Sequence, residues 1–509
     1  MYAHLLVLAG LTAALAGCLT PNQATRWNLG MNLAGPADWN TELPFTDVFR
    51  LSRKWISQRT GAGWGKGPAL EQDANGWVKR LEPGCYAETL LCTINGGHYP
   101  AGEYVCLYDG KGRIEFNNIK REVARGPGRI VFEPDPPRGA IFLRLMETDP
   151  QNPIRNIRVL MPGYETRYRQ EPFTKWMLDR WKGCKVFRYM DWMQTNGSTI
   201  REWSERPKPN DCTWTEKGIP VEIMVDFSNR TGTDPWFCMP HLATDDYVRR
   251  FAEYVKRTLD PRLKVYVELS NEVWNSGFRQ HHDCAREGIR LGLADAAKPW
   301  EAAHRYYARR SQQIWGIWEE VWGGRRRLVR VLGAQAANPW WAEQDLTFED
   351  TFKHCDALAI APYCSLNVGP DSSPNVETVS RWTVDQVMDH LERKSLPECT
   401  DWMRRHKAIA DRFKVQLICY EAGQHAVGVG GGENNEALTK LLTSANRSER
   451  MGKLYAQYLD AWQTVSGGGL CCIFASVGSF SKWGSWGLIE HYRDDTAKYR
   501  TVMERLAER

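Results

Sequence analysis

Two glutamates end apolar stretches of this chain. Glu272 follows VYVELSN at 265–271, and Glu421 closes VQLICYE at 415–421. An ionised carboxylate at the tip of a buried strand is unfavourable unless it has partners or keeps a proton. Two of them at one end of one sheet mark a functional site. The chemistry they suit is glycosidic bond cleavage. One carboxyl keeps a proton for the leaving oxygen and the other attacks the anomeric carbon; a spacing of about 5–5.5 Å gives retention of configuration. The plainer role for either residue is a structural carboxylate paired with an arginine.

Elements that place both tips at one mouth can be read along the chain. Short strands are expected at 28–33, 185–190, 219–227, 263–269, 327–333, 357–363, 415–421 and 470–476. Helices are expected near 172–182, over 245–259, 284–322 and 399–413, and over 435–465. Eight strands alternating with helices predict an α/β fold, a (β/α)8 TIM barrel, whose site lies at the carboxyl ends of the strands. A doubly wound open sheet would want a Gly-rich phosphate turn after its first strand, and NLGMNLAGP does not match GxGxxG. Between 68 and 165 the texture changes to short alternating runs punctuated by Gly, Pro, Asp and Asn. That texture predicts a small inserted antiparallel β-sandwich. The expected units are therefore 26–67 (first barrel strand and loop), 68–165 (the insert, a candidate carbohydrate-binding module or a prop for one wall of the cleft) and 166–509 (the rest of the barrel).

A chain of 509 residues has room for such a barrel plus an insert. Its 66 Lys+Arg nearly balance 61 Asp+Glu, which argues against a nucleic-acid partner or an electrostatic hold on a membrane. The 23 Trp are unusual. An indole N–H needs a partner when buried, so half-exposed rings in a cleft are expected, and their flat faces suit sugars as well as a Trp-rich core does.

Asn271-Glu272 after the fourth strand and Glu421 after the seventh resemble the signature of clan A retaining glycoside hydrolases, the superfamily of family 5 cellulases and mannanases. The resemblance covers the barrel and not the insert. It implies that Glu272 is the acid/base, Glu421 the nucleophile, Asn271 the partner of a sugar 2-hydroxyl, Arg188 a support for the nucleophile and Tyr363 a neighbour of its oxygen. It implies no metal and no organic cofactor, and a polysaccharide or oligosaccharide substrate. The stretches VYVELSNEVWN, ICYEAGQH and WFCMPH also resemble exported bacterial proteins loosely described as cellulose-binding. The family often places a Trp at the end of strand eight. Here that stretch reads FASVGSF, and Trp483 and Trp486 follow later.

Further substrate contacts are expected from loops after strands. These are His241, His425, Trp192 and Trp274, with Trp236, Trp340 and Trp341 as additional rings. Glu268 shares a strand face with Glu272 and is expected to partner an interior arginine. The run VGVGGG at 427–432 suggests a mobile loop or a linker. The rival readings are a non-catalytic carbohydrate-binding surface lipoprotein on the same fold and a purely structural surface lipoprotein. An esterase would need a GxSxG elbow that the sequence lacks.

The amino terminus carries an apolar run at 5–16, too short to span a bilayer but suited to a signal peptide. Leu15-Ala16-Gly17-Cys18 resembles a bacterial lipobox, so residues 1–18 are expected to be a leader with Cys18 lipidated. That implies an exported protein: an outer-membrane or cell-surface lipoprotein held only by its lipid anchor, or a periplasmic or secreted one. Of 14 Cys, Cys85, Cys92 and Cys106 are close enough in sequence to pair, and no zinc-type spacing appears.

Overall fold

A computed structural model describes residues 27–508. The expected leader and Cys18 lie outside the described residues. Eight parallel strands close into a barrel in chain order. Strands one to eight are Leu29–Asn32, Val186–Arg188, Asp234–Met239, Val265–Leu269, Leu328–Ala334, Ala357–Ile360, Gln416–Ala422 and Cys471–Ile473. Strand one pairs with both strand two and strand eight, which completes the circle. The strands are almost uniformly buried because a parallel barrel covers both faces of its sheet. Val186, Trp236, Cys238, Val331, Ala359, Ile418, Tyr420 and Cys472 fill the interior. Their neighbours Phe187, Phe237, Val267, Leu332 and Leu358 face outward into the larger core beneath the helices.

One expected strand is a helix. Residues 219–227 fall largely in the helix Val221–Thr231, and strand three comes next, at Asp234–Met239. Val221, Met224, Val225 and Ser228 are buried at helical spacing. Pro220 precedes the first turn, and Gly232 ends it in the left-handed region at φ 68°. Two long helical stretches are each divided in two. The first gives Arg279–Arg290 and Pro299–Trp322, the second Glu436–Arg447 and Glu449–Ser466.

The insert is two four-stranded antiparallel sheets. One contains Ile56–Arg59, Cys85–Leu91, Ile141–Thr148 and Gly112–Asn117; the other Arg155–Leu160, Tyr104–Asp109, Arg129–Pro134 and Ile119–Gly126. They share a core in which Phe116 stacks on Phe132 at 4.0 Å. Ile56–Arg59 pairs with Cys85–Leu91, so the sandwich begins before residue 68. The Gly-rich stretch at 61–67 is a loop inside it rather than a boundary. The insert is tied to the loop after strand one. Arg53 forms a bidentate ion pair with Asp38 at 2.8 and 3.1 Å, and the Thr93 amide donates to the Asp38 carbonyl at 2.7 Å.

Cys85, Cys92 and Cys106 are free buried thiols, as is every other cysteine among the described residues. They behave as small apolar core side chains. VGVGGG is partly ordered structure: Gln424–Gly428 pairs in parallel with Cys364–Val368 just past strands seven and six. No helix among the described residues is long and apolar enough to cross a membrane.

Candidate active site

Arg188, the last residue of strand two, is fully buried at the barrel mouth. One guanidinium nitrogen donates to Glu421 Oε1 at 2.8 Å. Another donates to Glu268 Oε2 at 2.9 Å and to Asn271 Oδ1 at 2.9 Å. Tyr363 donates to the second oxygen of Glu421 at 2.9 Å. Glu421 is thus held at both oxygens. Its aim depends on strand seven. Tyr420 faces the interior, so strict alternation would turn Glu421 outward. The ladder to strand eight shifts register between Cys419 and Ala422, and the carboxylate points at Arg188 instead.

Glu268 explains why the arginine is tolerated inside. It accepts from Arg188 and also from Trp236 Nε1 at 2.9 Å, so the buried ion pair is hydrogen-bonded on several sides. Trp236 is completely buried and serves this carboxylate; it is not a sugar platform.

Glu272 stands differently. It is half-buried, in the left-handed region at φ 44°, and two neutral donors hold it. Tyr420 Oη donates to one oxygen at 3.0 Å and Asn275 Nδ2 to the other at 3.1 Å. Burial, then the charge of Glu421, pushes its carboxyl up to about 7. Burial also raises Glu421, but the Arg188 charge and the Tyr363 hydroxyl act against it. Both carboxyls are raised by burial, but only Glu421 has a bonded cation opposing that rise, and this difference in partners is the kind of asymmetry that acid-assisted displacement uses.

A cleft of about 500 Å3 opens at the mouth; neither glutamate lines it, and it reaches toward Glu421 through Asp191 and through Phe474, whose ring is 6.4 Å from Tyr363. Its floor comes from the ends of strands one, two and eight through Ala34, Asp191 and Phe474, and its rim carries Trp39, Trp483 and Trp486. Trp39 is 62% and Trp483 64% exposed. Thr93, Ile94 and Asn95 of the insert form one wall. His425 lies between Tyr363 at 5.4 Å and Trp486 at 5.5 Å (ring centroids), with Nδ1 bonded to Asn367. At the end of strand eight, Phe474 and Trp486 stand together, 6.2 Å apart.

Several expected contacts are core side chains, lie elsewhere or are already engaged within the site. Trp192 is fully buried, its indole donating to the Ala34 carbonyl at 3.1 Å, so it is core. His241 is buried against Asp283 at 2.8 Å and away from the cleft lining. Burial pushes it down to about 4, so it is a neutral structural imidazole. Both amide atoms of Asn271 are engaged, with Arg188 and Asn196. Trp274, by contrast, is half-buried beside the Tyr420 hydroxyl that holds Glu272, so it borders the acid although it does not line the cleft. Trp340 and Trp341 sit in a separate depression.

Sequence reasoning missed Trp39, Tyr420, Asn275 and Asp191. Tyr420 and Asn275 carried a signal, being next to Glu421 and one turn past Glu272. Asp191, three residues after Arg188, had the same kind of signal. It lines the cleft, and its carboxylate has no hydrogen-bond or ion-pair partner among the described residues. Burial and the charge of Glu421 push it up to about 7.

No family profile matches the chain, and no curated protein matches it. Solved structures do. The chain is similar to the GH51 arabinofuranosidase from Xanthomonas axonopodis pv. citri, at 13% identity and TM-score 0.42, over 66% of this chain and 67% of that one. It is similar to a GH5 family lichenase from Caldicellulosiruptor sp. F32, at 16% identity and TM-score 0.37, over 67% and 86%. It is also similar to a family 26 endo-β-1,4-mannanase from Cellulomonas fimi, at 11% identity and TM-score 0.34, over 64% and 63%.

Proposed function

We propose that this chain is a retaining glycoside hydrolase that cleaves β-glycosidic bonds of a polysaccharide or oligosaccharide by double displacement. Glu421 attacks the anomeric carbon while Glu272 gives its proton to the leaving oxygen. Water, deprotonated by Glu272, then releases the sugar from Glu421. Arg188 and Tyr363 keep the nucleophile ionised and aimed. The observation that carries the reading is the unlike pairing of two glutamates at one mouth: Glu421 is held by a cation and a phenol, Glu272 by neutral donors alone. The chemistry needs no cofactor. The lipobox at Cys18 adds the proposal that the enzyme acts outside the cytoplasm on a lipid anchor.

The test is a screen of plant, algal and microbial polysaccharides and aryl glycosides with product sizing, run on wild type, Glu272→Ala and Glu421→Gln. Cleavage by wild type, lost in Glu421→Gln and, for polysaccharides, in Glu272→Ala, with binding retained in both, is expected. Folded wild type that binds a glycan and cleaves none would leave a non-catalytic carbohydrate-binding protein.

A further inference from the structure

Three tryptophans form an open box outside the catalytic cleft. Trp341 lies flat on His304, with ring centroids 3.8 Å apart and planes 5° apart. Trp300 and Trp340 stand against it at 5.1 and 4.5 Å, each tilted by 64°. The base is fixed, because His304 is buried and bonded through Nδ1 to buried Asp345 at 3.0 Å. The walls are open, with Trp300 41% and Trp340 50% exposed. The enclosed space is about 130 Å3, with Arg305 and Gln344 at its edge.

Topology puts the box on the catalytic face. Trp340 and Trp341 open the helix Pro339–Thr347, which leaves the carboxyl end of strand five. Trp300 is at the start of the 24-residue helix Pro299–Trp322. That helix runs back to the amino end of strand five over about 36 Å, so its start lies at the carboxyl-end rim. Strand five faces strand one across the closed barrel. The cleft, built on strands eight, one and two, and the box therefore flank the two glutamates from opposite sides.

The local charges select the occupant. An aromatic cage for a cation would want an unpaired acid beside it. Here Glu301 is paired with Lys298 and Arg305, and Asp345 with His304. A protein partner would need roughly 800 Å2 of surface, far more than this depression offers. Rigid, flat indoles with neutral and paired polar groups at the edge fit a sugar ring, whose C–H face packs on the indoles while its hydroxyls reach Gln344 and Arg305. We propose that Trp300, Trp340 and Trp341 form a second, non-catalytic binding site for a polysaccharide chain. It anchors polymer while a stretch of it enters the cleft. This inference rests on the glycan reading above.

The test is affinity electrophoresis in gels cast with β-glucan, β-mannan, xylan or arabinan. It is paired with turnover of the polymer and of a short 4-nitrophenyl glycoside, for wild type and Trp300→Ala/Trp340→Ala. Expected are at least a fivefold loss of retardation and a similar fall in kcat/KM on polymer, with short-substrate turnover within twofold of wild type. Trp300→Phe/Trp340→Phe should restore part of the retardation, which separates ring loss from misfolding. Unchanged retardation in the alanine variant overturns the second site, as does a wild type that cleaves the short glycoside without being retarded by any polymer. A wild type that neither binds nor cleaves any glycan overturns the proposed function and this inference together.

Discussion

Around Glu421 the wall is ionic and closed: a buried guanidinium on one oxygen, a phenol on the other, and the strand-seven register shift behind it. Around Glu272 it is neutral and half open, with a phenol, an amide and a left-handed backbone. The two residues belong to one mouth, yet Arg188 serves Glu421 and Glu268 and does not bond to Glu272. The division of roles proposed for them rests on that placement. Without a bonded cation, the less costly way for Glu272 to remain half-buried is to keep its proton.

The contrast is broken most completely at Glu421, the proposed nucleophile. Glu421→Gln should lower kcat by about 10^4-fold or more with the fold intact by circular dichroism. Glu272→Gln should lower kcat by about 10^2–10^4-fold, and least for substrates with good leaving groups, because such substrates need little acid assistance. Arg188→Met leaves Glu268 buried without its charge partner. It should cost about 3–5 kcal/mol in urea-unfolding free energy as well as activity.

Smaller changes sharpen the contrast through pH. If Glu272 acts as the proton donor, kcat/KM should fall as pH rises through about 7, where its carboxyl titrates. Tyr420→Phe removes a bond that favours the charged form, so this limb should move to higher pH. The smallest effect is on stability. Asp191 binds its proton more tightly folded than unfolded, so native stability falls as pH rises from the ordinary Asp range to about 7. Asp191→Asn should raise the Tm at pH 8 by about 1–2 °C and leave it unchanged at pH 4, by scanning calorimetry.

The barrel and its acidic pair were legible because strong local patterns coincide with them. YVELSNE and LICYEA are apolar runs that end abruptly on an acid, and Arg188 ends another. IPVEIMVDF misled because a short, mostly apolar run satisfies strand and helix periodicity alike. Here Pro220 and Gly232 decide for the helix. The rings were the least legible. Trp39 and Trp192 both follow barrel strands in loop-like sequence, yet one is open at the rim and the other has no exposed surface. Which way a loop indole turns is set by what packs above it, and for Trp192 that includes Phe45 and Phe227, distant in sequence. The insert's start was hidden for a related reason, since Ile56–Arg59 becomes a strand only by pairing with Cys85–Leu91.

The wall formed by Thr93, Ile94 and Asn95 makes the sandwich an exchangeable cassette. The insert leaves and rejoins the barrel between strand one and the helix Lys175–Arg180, so replacing it alters one side of the groove while the acid pair and its arginine stay in place. On the proposed glycan reading, the shape of the groove can then be altered from the insert alone, without touching the two glutamates.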